Sequence, residues 1–403
     1  MKKVLLFAAT VALFMPTAIQ LATGQDVIIT IEQRDEKSKP KSDPATTLFT
    51  GKRPAVDVAI LLDTSNSMDG LIGQAKSQLW NIVQQFADAK KNGMTPVLRV
   101  SVFEYGNTNL PATEGYIRQV VPLTDDLDSV SQALFQLTTN GGDEYCGMVI
   151  DEALKRLAWS KEPNTYKAIF IAGNEPFTQG SVFYESACKK AIESGVVVNT
   201  IHCGSHSEGL AGSWQHGAQL AEGKFLNINQ DRQVVHIECP QDKIILELNT
   251  ELNKTYLWFG AKQVRESYRG NQLAQDKNAD SIGNSVSRVQ SKASAAYCNN
   301  GRDLCDTLLE DEKAIENVKT EDLPEELQKM TLDERKAYVK KMAAKRGEIK
   351  QQLAKVSLER EAYLAVEKKQ MAGASGQDTL GDAVSNTVNE QLLKSGFELR
   401  DRR

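Results

Sequence analysis

Positive charge is not in excess in this 403-residue chain: 48 Lys and Arg face 53 Asp and Glu, a formal net charge of −5. The basic field that nucleic-acid binding usually leaves is missing, so nucleic acid is set aside as a main partner. Histidine is rare, at four residues. The run His202-Cys203-Gly204-Ser205-His206, with His216 further on, matches no common zinc spacing. Positions 202 and 203 should face opposite sides of a strand, and the histidines read as polar loop residues. No catalytic triad, zinc pattern or phosphate loop is recognisable. No His is placed to activate Cys146, so this thiol is not read as a nucleophile and the chain is not read as an enzyme. The apolar run Val4 to Met15 stops at Pro16, short of the ~20 residues that cross a bilayer as a helix.

What stands at the amino terminus is Lys2 and Lys3, that apolar run, and small residues before Gln25. The pattern predicts a secretory signal peptide over 1–24, cleaved near Gly24, with an uncleaved anchor as the alternative. The mature chain would then be periplasmic or secreted, and not an integral membrane protein. The segment holds no cysteine to which a lipid could be attached. Residues 25–54 carry a short β-like run, Val27 to Ile31, then a stretch rich in Lys, Asp, Ser and Pro that reads as a tether. All six cysteines follow it, and an even count in an exported chain favours disulfides.

From Asp57 onward apolar runs of strand length alternate with stretches of helical spacing. The order is a strand, a helix to about Asn92, a strand at 96–105, and another at 116–123 that closes an antiparallel hairpin at one sheet edge. Helical patterns at 127–137 and 144–159, a strand at 167–172, a helix through Ile192, a strand at 196–202, and shorter elements up to Phe259 complete the unit. The alternation predicts an α/β domain over 55–259 with a mostly parallel, doubly wound sheet. Ligands of such sheets collect beyond the carboxyl ends of the strands, where the winding reverses.

The first strand is where that rule meets chemistry. Val56-Asp57-Val58-Ala59-Ile60-Leu61-Leu62 ends in Asp63-Thr64-Ser65-Asn66-Ser67, and the next helix opens at once, with Ile72, Ala75, Leu79, Ile82, Val83 and Phe86 at helical spacing. Asp63, Ser65 and Ser67 offer hard oxygen and no soft ligand, a set suited to a cation such as Mg²⁺. In this context, Asp63-Thr64-Ser65-Asn66-Ser67 resembles the Asp-x-Ser-x-Ser signature of von Willebrand factor A domains in exported bacterial proteins. There it is the first loop of a metal-ion-dependent adhesion site.

The resemblance implies two more loops. The second usually supplies a Thr, commonly just after a Gly pair; counted from Gly141-Gly142 that place falls on Asp143, with Thr139 as the alternative. The third supplies an Asp after an apolar strand, where this chain has Asn174, with Gly173 as the alternative. An amide oxygen is a neutral ligand, and a carboxylate at Asp143 would offset the loss. The implied metal set is Asp63, Ser65, Ser67, Asp143 and Asn174, holding Mg²⁺ first, with Mn²⁺ or Ca²⁺ as alternatives; a vestigial, empty loop is the other reading. Asp69 and Glu175 flank the same edge and read as solvated or helix-terminal acids. The resemblance also implies the partner, a protein presenting an acidic residue to the ion.

The predicted topology puts Cys188 and Cys203 near one edge on adjacent elements, allows Cys146 to meet Cys239, and lets Cys298 and Cys305 clip the turn between them. Beyond Phe259 the reading is helical: a connector at 260–305, a charged long helix at 306–372, and a last amphipathic helix within 373–403, set off by Gly373-Ala374-Ser375-Gly376. Thr331 to Glu334 forms a capping box, and Met342, Ile349, Val356 and Tyr363, with Leu353 beside them, make a narrow coiled-coil-like stripe. Val384, Val388, Gln391 and Leu392 share one side of the last helix. Two functions follow: an adhesion-type binding module using the cation edge, or a metal-independent envelope-assembly factor acting through its helical region.

Overall fold

The computed structural model describes residues 53–87, 89–162, 165–229, 239–371 and 380–399. The expected leader, nearly all of the tether and the Gly/Ser break at 373–376 lie outside the described residues. In chain order the elements are β1 (Ala55–Asp63), α1 (Asp69–Ala87), β2 (Ala89–Lys90), β3 (Val97–Tyr105), β4 (Ile117–Thr124), α2 (Leu127–Gln136) and α3 (Cys146–Arg156). There follow β5 (Thr165–Gly173), α4 (Tyr184–Glu193), β6 (Val197–Cys203), α5 (His206–Ala211), α6 (Trp214–Leu220), β7 (Phe225–Ile228) and α7 (Pro240–Asn253). The helical remainder is α8 (Lys262–Ser281), α9 (Ser285–Ala293), α10 (Leu304–Glu310), α11 (Glu325–Gln328), α12 (Leu332–Met371) and α13 (Leu380–Lys394), closed by β8 (Glu398–Leu399).

Six strands form one sheet in the order β4-β3-β1-β5-β6-β7, parallel throughout except for β4. The architecture is therefore the doubly wound α/β class, followed by a helical region. β1 sits in the middle because it is apolar on both faces. Val56, Val58 and Leu62 join the core under α1 and α2, whereas Ala59 and Leu61 join the core under α3, α4 and α6. Alternation along a strand divides a continuous apolar run between two layers. The winding reverses between β1 and β5, which places the Asp63 turn at the switch point.

The α/β layer is not contained within 55–259. The chain's end returns to it: α13 packs on α1, burying Leu380, Val384, Val388 and Leu392, and β8 pairs antiparallel with β2. Gln391 exchanges amide hydrogen bonds with Asn199 of β6 at 2.7 and 3.1 Å and accepts one from the Tyr166 hydroxyl. The remaining helices are fastened by buried charge. Arg288 of α9, 1% exposed, pairs with Asp128 of α2 at 2.7 Å and Asp276 of α8 at 2.9 Å, with its guanidinium over the Trp80 ring. Lys292 of α9 meets the same Asp276. The capping box of α12 forms, Thr331 and Glu334 exchanging hydrogen bonds. The stripe of this 40-residue helix is used in part inside the chain: Ile349 and Leu353 are buried, Met342 and Val356 half-buried and Tyr363 exposed, and α12 lies on α7, α9 and α10. A long coiled-coil seam is thus not what the stripe makes, since each of those partner helices is far shorter than α12.

The disulfide expectation is corrected. Cys146, Cys188, Cys298 and Cys305 are thiols, so none of the three expected pairs forms. The sheet separates the first: Cys188 belongs to the α3/α4 core and Cys203 to the core on the opposite face. Cys146 likewise lies in the α3/α4 core, while α7, which Cys239 caps, packs with α9 and α12. The Cys298–Cys305 turn is held by polar contacts instead, Asn299 N–H donating to Asp306 and Arg302 to the Cys298 carbonyl. The Cys305 thiol points at the Thr255 and Val339 carbonyls.

Candidate cation site at the edge of the sheet

Where β1 ends, Thr64 N–H still donates to the Tyr105 carbonyl of β3 at 2.9 Å, but the side chains that follow turn inward on themselves. Ser65 N–H donates to Asp63 Oδ1 at 2.8 Å, and Ser65 Oγ lies 3.3 Å from Ser67 Oγ. This Asx-type turn passes through a short 3₁₀ segment, anchored by buried Met68, straight into α1. From β5, Asn174 reaches the same spot. Its side-chain amide donates to Ser67 Oγ at 3.2 Å, and its backbone N–H supports Asp63. His202 of β6 fixes that loop, Nε2 lying 3.2 Å from the Asn174 carbonyl.

Glycines keep the space open. A Cβ on Gly173 would lie 2.5 Å from the Tyr105 hydroxyl and 3.0 Å from Asp63 Oδ2, and one on Gly106, at φ +80°, would lie 2.8 Å from Glu144 Cγ and 2.9 Å from Asp63 Oδ1. The loop before α3 lies against this bare backbone, so close that a Cβ on Gly142 would strike the Gly106 carbonyl.

That loop delivers Glu144, not Asp143. Glu144 is 5% exposed and its carboxyl lies beside Asp63 and Ser65. Asp143 is exposed and accepts from the Tyr145 hydroxyl at 3.0 Å, away from the cluster. The alternative, Thr139, hydrogen-bonds to Asp69 on the rim. The structure thus turns Asp143 away from the cluster and brings its neighbour Glu144 in. The Gly pair locates the bend, but two adjacent acids in a non-helical loop point to different sides, and nothing in the sequence says which faces in.

Burial pushes the Asp63 carboxyl up to about 6, against the donors from Ser65 and Asn174. Glu144 is pushed up to about 9, by burial first and by the Asp63 charge second. Two buried carboxyls this close therefore resist carrying two negative charges unless a cation lies between them. Asp63 Oδ2, Glu144 Oε2 and Asn174 Oδ1 are all buried without a hydrogen-bond partner. Orphaned buried acceptors cost about 1–3 kcal/mol each, and three in one cluster of hard oxygen fit a divalent cation. Among the described residues no three His, Cys, Asp or Glu side chains gather as metal ligands. An ion here thus depends on hydroxyl and amide oxygens beside the two acids.

Residues 57–211 match the family model of the von Willebrand factor type A domain. No curated protein matches the chain. Among solved structures, BatB from Bacteroides thetaiotaomicron is 19% identical with a TM-score of 0.33, over 43% of this chain and 90% of that one. Proximal thread matrix protein 1 from the mussel byssus, with a zinc-occupied MIDAS motif, is 17% identical with a TM-score of 0.35, over 45% of this chain and 43% of that one. The SpRpn10 VWA domain is 16% identical with a TM-score of 0.34, over 45% of this chain and all of that one. This chain thus spans less than half of the mussel protein. The matched A domain contributes Asp63, Ser65, Ser67, Glu144 and Asn174 to one edge, Asp63 from the end of β1 and the others from loops that follow a strand or precede a helix. Among the described residues no helix is long and apolar enough to cross a membrane.

Proposed function

We propose that this chain is an exported, non-catalytic protein-binding module, periplasmic or secreted. It engages an acidic group on a partner protein through a divalent cation held at the edge of its A domain. Asp63, Ser65, Ser67 and Asn174 would hold the ion, Mg²⁺ first and Mn²⁺ or Ca²⁺ as alternatives; when bound, it would supply positive charge at the surface. The observation that carries this reading is the set of unpartnered buried oxygens on Asp63, Glu144 and Asn174. Asp63 fixes Ser65, Asn174 orients Ser67, and the glycines at 106 and 173 keep the cleft bare. The test is capture from an envelope fraction with and without EDTA, using wild type and Asp63→Ala. Capture that ignores both chelator and substitution ends the proposal.

A second reading, a metal-independent assembly factor, is favoured by the outer part of α12, where Leu358 and Val366 are more than half exposed. Paired polar substitutions there should abolish capture if that surface does the binding, and leave it unchanged if the cation edge does.

A further inference from the structure

We propose that Glu144 is itself a cation ligand, supplying from within the chain the second carboxylate that the resemblance places on the third loop, where this chain has Asn174. This rests on the reading that an ion sits at this edge, and it changes what the ion needs.

Asp63 and Glu144 are 0% and 5% exposed, lie side by side against Gly106, and each keeps a buried oxygen without a hydrogen-bond partner. Gly106 lies bare against both side chains, and Gly142 lets the loop carrying Glu144 close down on it. The loop is further held by Asn140 N–H to the Thr64 carbonyl, Thr108 N–H to the Gly141 carbonyl, and Glu144 N–H to Gln179 Oε1. Glu144 is thus positioned by contacts to three other loops, two of them backbone to backbone, a device that a solvated surface acid would not need.

The charge count follows. A divalent ion with Asp63 as its only carboxylate keeps a net positive charge in a buried place, and that favours an anion from outside. With Asp63 and Glu144 both bound, the chain neutralises the ion unaided. The ion is then held without a partner, and a partner's acidic side chain competes with Glu144 instead of filling a vacant position.

Titration calorimetry of Mg²⁺ into the full chain, with acetate as a carboxylate probe, tests this. Wild type should bind Mg²⁺ without acetate and gain nothing from it. Glu144→Gln, which keeps the shape, should bind at least about tenfold more weakly. Glu144→Ala should regain affinity as acetate is added. If Glu144→Gln binds like wild type while Asp63→Asn does not, Glu144 is no ligand and only this inference falls. Should wild type itself give neither heat nor a rise in melting temperature with Mg²⁺, the cation reading falls with it. Acetate leaving Glu144→Ala unchanged also overturns the inference, and circular dichroism of that variant reports whether it folds.

Discussion

Replacing Gly173 by Ala puts a single methyl group into the most crowded part of the site. That Cβ would lie 2.5 Å from the Tyr105 hydroxyl and 3.0 Å from Asp63 Oδ2. Neither neighbour can step aside cheaply: Tyr105 is fully buried and its hydroxyl donates to the Ala172 carbonyl at 3.0 Å, while Asp63 is fully buried and held by Ser65. Overpacking of this kind costs about 1–3 kcal/mol. Tyr105→Phe alone removes the hydrogen bond to Ala172, about 0.5–1.5 kcal/mol, and the weak one that the hydroxyl accepts from the Cys146 thiol. It also removes the atom nearest the new methyl. The two changes should therefore be non-additive, with Gly173→Ala/Tyr105→Phe more stable than the sum predicts by about 1 kcal/mol or more. Urea unfolding of the four proteins measures this, provided the slope stays constant so that midpoints report stability. On the proposed cation reading, Gly173→Ala should also weaken Mg²⁺ binding, through displacement of Asp63. Additive effects, or a Gly173→Ala variant as stable as wild type, would refute the account of how the glycine keeps the site open.

Other perturbations test the frame around the site. Asp57, fully buried in β1, accepts from Arg99 at 2.8 and 2.7 Å and from Ser160 N–H at 2.8 Å; Asp57→Ala strands the guanidinium and should cost about 3–5 kcal/mol in urea unfolding. Burial pulls the Lys292 ammonium down to about 8 despite Asp276, below the ~10.4 of an unfolded lysine. The unfolded chain thus binds the extra proton between those values, so this residue's contribution to stability should rise with pH from 8 to about 10 and fall as pH drops back through 8. Wild type measured against Lys292→Met over that range isolates it. Thiol alkylation of the native chain should spare buried Cys146, Cys188 and Cys305 and label them in urea without reductant; labelling blocked until reductant is added would restore the disulfides.

The fold was legible where periodicity is strict. β1 and β5 are mostly apolar runs, β3 interleaves Arg99, Ser101 and Glu104 with apolar residues, α1 keeps its buried face, and β3 and β4 pair antiparallel although the 106–116 connection between them is not short. That Asp63, Ser65 and Ser67 lie together was legible for a related reason: they stand at the end of an unambiguous strand, so their register is fixed. Glu144 was not, because its loop has no period and side-chain direction there is set by Gly106 and Gly142, far apart in sequence. The cysteine pairs failed on a similar point. Nearness along an edge was inferred from topology, but which face of the sheet a thiol takes depends on a one-residue alternation.

The return of α13 decides how the rest of the molecule can be dissected. Leu380, Val384, Val388 and Leu392 are each at most 5% exposed against α1 and the sheet, and Leu380 N–H donates to Gln74 of α1. At about 1.5–3 kcal/mol for each buried side chain, these four contribute roughly 6–12 kcal/mol. That is comparable to the ~5–15 kcal/mol total stability of a typical domain. A chain ending before Leu380 should therefore fail to hold the A domain, even though residues 57–211 carry the family match. It would also leave α1, which opens at the Ser65–Ser67 turn, uncovered along the face that α13 buries. Loss of function on truncation would then say nothing about whether the helical region binds a partner. Thermal unfolding of chains ending at 371 and 399 separates the cases: equal midpoints would show that α13 is dispensable, whereas loss of the transition in the shorter chain would place it in the core of the α/β layer.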